Sequence, residues 1–147
     1  HNDARRQRQM CIRDRLIELG WNAHYFNIAN GCCGTQTMTV EECAAVRLQE
    51  AQAAAKLLSA EFHPPICNDL EIFYDKPTMA KVSALVRRVK PQIILTHAMS
   101  DYMEDHQNTA RLAVFAAFSR GMPNWTSSPK EQTFFEDIAV YHAQPHG

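Results

Sequence analysis

The sequence predicts an α/β protein: a three-layer α/β/α sandwich with a mostly parallel, Rossmann-like sheet. Strand-like and helix-like segments alternate along the chain, as they do where helices connect parallel strands. The run Gln92-Ile93-Ile94-Leu95-Thr96 has the continuous apolar character of a strand covered on both faces. Helix start and stop residues fall between the strand candidates.

The first fifteen residues stand apart, with Arg5, Arg6, Arg8, Arg13 and Arg15 and almost no apolar side chains. They read either as the end of a solvated basic helix or as sequence not native to the domain, which then runs from residue 16 to residue 147. A short helical end from Leu16 stops at Gly20, and Asn22 to Ala29 forms a buried strand rich in aromatic and apolar residues. Asn30 to Gly34 is its loop. Thr39 and Glu42 make a capping box for a helix reaching about Ser59, with Cys43, Val46, Ala53, Ala54, Leu57 and Leu58 on its apolar face.

His63-Pro64-Pro65 breaks the chain, and Leu70 to Tyr74 is a short strand candidate. Pro77 suits the first turn of a helix carrying Met79, Val82, Leu85, Val86 and Val89, which Pro91 ends. After the strand at 92–96 come His97 and a polar loop, then a helix from about His106 to Arg120 with Leu112, Ala113, Ala116 and Ala117 inside. Gly121 closes it, Thr126 to Lys130 looks flexible, and a last strand spans Ile138 to Ala143. In open parallel sheets ligands bind beyond the carboxyl ends of strands, so the loops after Ala29 and Thr96 are the places to look.

With 147 residues, 46% of them apolar and 21% charged, the chain has the profile of one globular domain with a core. Its formal charge of −1 offers no field for nucleic acid or an anionic membrane. No apolar run approaches the roughly 20 residues of a membrane span, and no signal-peptide core is visible, so a soluble protein is expected. Five cysteines include one adjacent pair and no CxxC, which fits neither a disulfide framework nor a cysteine zinc knuckle and points to a reducing, cytoplasmic setting. No GxGxxG or P-loop follows any strand candidate, which leaves a nucleotide-binding flavodoxin-like reading with little support.

The segment from Thr96 to His106 gathers three carboxylates and two histidines at the expected mouth of the sheet. Such nitrogen and oxygen donors suit hard and borderline metals. The same residues also read as an exposed polar loop, with Asp105 as the N-cap of the following helix. His24 alternates with the buried face of its strand and reads as a satisfied core residue. Asn68-Asp69 reads as a turn.

Thr96-His97 followed by Asp101-Tyr102-x-x-Asp105-His106-x-x-Thr109 resembles the second metal motif of PIG-L/LmbE-type deacetylases. Gly20-Trp21 leading into HYFNIANGCCG, Arg47-x-x-Glu50 and RLAVFAAFSRGMPNW extend that resemblance over residues 16 to 147, which implies that the family's first strand is missing from the sheet. It implies a Zn2+ cofactor, with His106 as the ligand that ends the second motif. The early His-Pro-Asp-Asp motif of the family would correspond to His1-Asn2-Asp3-Ala4. On that correspondence His1 is a metal ligand and Asp3 the general base, but Ala4 stands where the second carboxylate ligand belongs.

The resemblance further implies Asp105 as a catalytic carboxylate, with Arg47 and His142 contacting substrate. Met103 occupies the position of a histidine acid in many relatives, leaving His97, His142 or Glu104 to serve instead. Cys32-Cys33 would either shape the sugar pocket or form a small-residue turn. The implied function is zinc-dependent removal of an acetyl group from a small N-acetylglucosamine-like conjugate, impaired in this chain by Ala4. A non-catalytic sugar-binding or vestigial domain of the same fold is the alternative.

Overall fold

The computed structural model describes residues 15–143. His1, Asp3 and Ala4 lie outside the described residues. The chain forms two compact units, His1–Asp69 and Leu70–Gly147. Each is built from parallel strands and helices, as an α/β sequence pattern requires.

In the first unit a helical turn at 15–18 ends at Gly20, whose φ of 86° lies in the left-handed region that glycine adopts without a Cβ penalty. Strand β1 (Ala23–Phe26) follows, then helix α1 (Val40–Leu57). The expected capping box is present: the Glu42 amide donates to Thr39 Oγ1 at 3.2 Å and the Thr39 amide to Glu42 Oε2 at 2.9 Å. Cys43 and Ala55 are the buried residues of α1, whereas Val46 and Leu57, expected on the apolar face, are exposed.

Strand β2 (Ala60–His63) was not expected; the sequence reading carried the helix to Ser59 and took His63 as a break. The helix instead caps at Leu58, and Ser59, with φ 49°, turns the chain directly into a strand. β2 pairs parallel to β1 with Ala23 opposite Ala60 and Phe26 opposite His63. An Ala29–Cys67 bridge, with the Ile66 amide donating to the Ile28 carbonyl at 2.9 Å, continues the pairing past Pro64-Pro65.

In the second unit the segment 70–74 is not a strand, contrary to expectation. Leu70 has φ 63°, and the carbonyl of Ile72 is taken by the Asn108 side-chain amide at 2.9 Å, so buried Ile72 is anchored without a strand partner. Helix α2 (Lys76–Val89) starts at Asp75, which accepts the Thr78 amide at 2.9 Å, with Pro77 in the first turn as expected. Strand β3 (Ile93–Thr96) is parallel to β4 (Ala139–His142), pairing Ile93 with Ala139 and Thr96 with His142.

Helix α3 (Glu104–Ser119) buries Leu112, Ala113, Ala116 and Ala117, the face expected from its periodicity. Its carboxyl end is closed by the buried guanidinium of Arg87, whose Nη2 donates to the carbonyls of Ser119 and Met122, both at 2.9 Å. Trp125 Nε1 donates to the buried Ser83 hydroxyl at 3.0 Å from the same side. The stretch expected to be flexible is hydrogen-bonded in place: buried Ser127 Oγ donates to the Pro129 carbonyl and accepts the Glu131 amide, both at 2.9 Å.

Candidate active site

The carboxyl end of β3 delivers His97 and the loop that opens α3. Asp101, whose side chain is 7% exposed, organises that loop. Its Oδ1 accepts the Met103 amide at 3.0 Å and faces His106 Nδ1 at 3.1 Å, while its own carbonyl accepts from Gln107 Nε2 at 2.6 Å. The Met103 amide, and after it the His106 contact, hold the Asp101 carboxyl below its ordinary range despite burial. An ionised carboxylate only accepts, so His106 Nδ1 donates, and in the neutral imidazole Nε2 carries the lone pair. This is the way a carboxylate fixes the tautomer of a metal-binding or proton-accepting histidine.

The His97 ring stacks on His106, with centroids 4.1 Å apart and planes inclined by 4°. Desolvation within this stack lowers the His97 pKa, the neighbouring His106 lowers it further, and Asp101 opposes both. His142, opposite Thr96 in the β3–β4 pair, places Nδ1 2.7 Å from the His97 carbonyl and donates to it. Thr96 Oγ1 is buried beside these groups in sequence and has no hydrogen-bond partner among the described residues.

Asp105 is not the N-cap expected as one of its readings. Met103 takes that position, and Glu104 and Asp105 fall in the first turn of α3, where negative charge suits the helix dipole. Asp105 Oδ2 accepts the Leu70 amide at 2.9 Å. The second unit thus brings His97, Asp101, Asp105, His106 and His142 to one strand end and one helix start.

Arg47 belongs to the first unit. Its Nη1 pairs with Glu50 at 2.7 Å and its Nη2 donates to the Gly34 carbonyl at 3.2 Å, with Glu50 raising the guanidinium pKa. It lies over Gly31, where an added Cβ would come within 3.3 Å of Arg47 Cγ. Arg47, Tyr25, Asn27, Asn30, Phe62 and Pro65 contribute to the lining of a cavity of about 670 Å³ in this unit. Arg47 thus forms an ion pair within its helix and borders the cavity.

The sequence reading missed a cluster on β1 and β2. His24, taken there as a satisfied core residue, is exposed and places Nδ1 2.9 Å from His63 Nε2 and 3.7 Å from Glu61 Oε2. Recognising β2 as a strand would have put these residues on one face. Among the described residues this is the group of three side-chain donors that lie within 4.8 Å of one another and could hold a metal ion. His106 fits as one nitrogen ligand of the zinc implied by resemblance, but the described residues around it do not complete a three-ligand catalytic set.

The sequence profile of the family described as PIG-L: GlcNAc-PI de-N-acetylase matches residues 12–117. Over 77 residues, 52% of this chain and 30% of the relative, the sequence is 34% identical to a 4-oxalmesaconate hydratase of Pseudomonas putida. The N,N'-diacetylchitobiose deacetylase of Pyrococcus horikoshii superposes with a TM-score of 0.76 at 21% identity, over 92% of this chain and 54% of that enzyme. The 4-carboxy-2-hydroxymuconate hydratase of Pseudomonas putida superposes with a TM-score of 0.70 at 24% identity, over 85% of this chain and 55% of that one. The chain thus spans about half the length of these solved neighbours and less than a third of the curated hydratase. No helix among the described residues is long and apolar enough to cross a membrane. The match over most of its length, on an α/β fold with parallel strands, places the chain in the PIG-L family.

Proposed function

We propose that the chain carries part of a zinc-dependent hydrolase site that removes an acetyl group from a small N-acetylglucosamine-like conjugate. The observation that carries this is the His106 imidazole, oriented by the buried Asp101 carboxylate at the carboxyl end of β3. Its position beyond a parallel strand suits a ligand site of this fold class. The similarity to a diacetylchitobiose deacetylase supports an amino-sugar substrate.

In this reading His106 and His1 would hold the metal, and Asp3 would accept a proton from water. A zinc held there would supply the charge that polarises the amide carbonyl and acidifies a bound water. Asp105 sits in the first turn of α3 as a further carboxylate for proton transfer. Arg47 donates to sugar hydroxyls, and His142, fixed through Nδ1 on the His97 carbonyl, presents Nε2 to substrate. Met103 cannot donate a proton to a leaving amine, so that task falls to His97, His142 or Glu104. Ala4 withdraws an anionic ligand and makes the activity of this chain low.

A second reading, a hydratase adding water to an unsaturated acid, is favoured by the 34% identity to a 4-oxalmesaconate hydratase. Both reactions activate water, and they differ in what it attacks. Acetate release from an N-acetylglucosamine conjugate, run beside hydration of 4-oxalmesaconate with and without chelator, tests the two. Acetate release abolished by chelator supports the hydrolase; chelator-sensitive hydration without acetate release supports the hydratase.

A further inference from the structure

We propose that His24, Glu61 and His63 form a site for one borderline divalent cation, with Zn2+ as the preferred ion, that ties β1 to β2. The parallel register places His24 directly opposite Glu61, and His63 lies two residues further along the same strand. Side chains alternate faces with a period of two, so all three project from one face of the pair.

The distances suit an ion. Donors bound at about 2.0–2.2 Å in tetrahedral or octahedral geometry lie roughly 2.8–3.6 Å apart. His24 Nδ1 and His63 Nε2 are 2.9 Å apart, and His24 Nδ1 and Glu61 Oε2 are 3.7 Å apart. The imidazole rings are nearly parallel, inclined by 16° with centroids 5.2 Å apart, so their nitrogens face each other across the 2.9 Å contact, and each ring must turn for both lone pairs to meet one ion. That rotation, together with movement of the exposed Glu61 side chain, completes the set.

The donor chemistry selects the ion. Two neutral imidazoles with one carboxylate form the kind of set that holds zinc in His2Glu sites, whereas Mg2+ and Ca2+ favour all-oxygen sets. Burial grades across the site: His63 is 8% exposed, the His24 side chain 29% and the Glu61 side chain 68%. The cation would therefore enter from the Glu61 side, where water can fill its remaining positions. Because the ligands stand on paired strands, the ion would brace the pairing of β1 with β2.

A hydrogen bond between the two imidazoles is the competing account of the 2.9 Å contact, and it requires no metal. Titration of Co2+ into the full chain carrying His106→Ala separates the accounts, since that background removes the ligand on which the proposed hydrolase depends. The expected result is one equivalent of Co2+ with visible ligand-field bands, displaced by Zn2+ and accompanied by a higher melting temperature. His63→Ala should abolish the bands, and Glu61→Gln, at an exposed position that leaves folding intact, should weaken binding on the order of tenfold or more. A folded His106→Ala chain that takes up no Co2+, or one whose binding is unchanged by both Glu61→Gln and His24→Ala, overturns the proposal. Neither result depends on acetate release, so this site and the hydrolase reading fail separately.

Discussion

The His106 ring lies face to face with that of His97, at 4.1 Å and 4°, while its Nδ1 points at the Asp101 carboxylate 3.1 Å away. The stack fixes the plane of the ring and the carboxylate fixes its tautomer, so the direction of the Nε2 lone pair is set before any ligand arrives. A histidine held this way has lost the rotamer freedom that an exposed loop residue keeps.

Asp101→Asn should therefore disturb function more than fold. An amide in place of the carboxylate no longer enforces an Nδ1 donor on His106, and metal affinity or turnover should fall about 10–100-fold, the usual range for such outer partners. Metal content and activity measured beside an unchanged circular dichroism spectrum check this.

Arg47→Ala should act on binding. Losing the guanidinium opens the cavity wall and removes a donor held by Glu50 and the Gly34 carbonyl. A rise in KM of roughly tenfold with little change in kcat is expected, since a charged hydrogen bond is worth about 1.5–3 kcal/mol. Steady-state kinetics on the active reaction separate the two constants.

Stability should rest strongly on Arg87. Arg87→Ala removes the charged donor that the Ser119 and Met122 carbonyls share beside their backbone amides, together with the packing of a buried side chain, and a loss of about 2–4 kcal/mol is expected from urea unfolding midpoints. Gly121→Ala should cost less, roughly 1–3 kcal/mol as for an overpacked core. A Cβ there would meet Phe135 Cδ1 at 3.0 Å and the Phe134 carbonyl at 3.2 Å.

Acid sensitivity has an identifiable contributor in Asp75. The Thr78 amide, donating to its carboxylate at the start of α2, holds the Asp75 pKa below its usual value. A depressed folded-state pKa contributes stability that is present above the unfolded value near ~4 and disappears as pH falls through the folded value. The melting temperatures of the native chain and Asp75→Ala should differ at pH 7 and converge as the pH falls below the ordinary carboxylate range.

What could be read in the sequence was local. The Thr39–Glu42 box, Pro77, the strand in the apolar 92–96 run and the face of α3 each depend on neighbouring residues, and each is found where expected, although Leu95 of that strand is exposed rather than covered. The β2 strand was hidden because Ser59, not a glycine, makes the left-handed turn that begins it. Leu70 to Tyr74 has strand-like composition, yet its Ile72 carbonyl is satisfied by a side chain 36 residues away.

The candidate site divides in the same manner. His97, Asp105 and His106 stand in one contiguous segment, so their gathering was legible, whereas the structural part played by Asp101 needed the loop geometry. The His24–Glu61–His63 cluster depends on the register of two strands separated by α1, and no local pattern announces it.

The most direct test of the hydrolase reading replaces residues 1–15 with a family-like first strand and His-Pro-Asp-Asp loop, and measures acetate release from an N-acetylglucosamine conjugate with and without chelator. The expected result is chelator-sensitive acetate release well above that of the chain as it stands, abolished by adding His106→Ala. Acetate release that survives His106→Ala, or none from a replaced chain that has taken up zinc, would contradict the assignment.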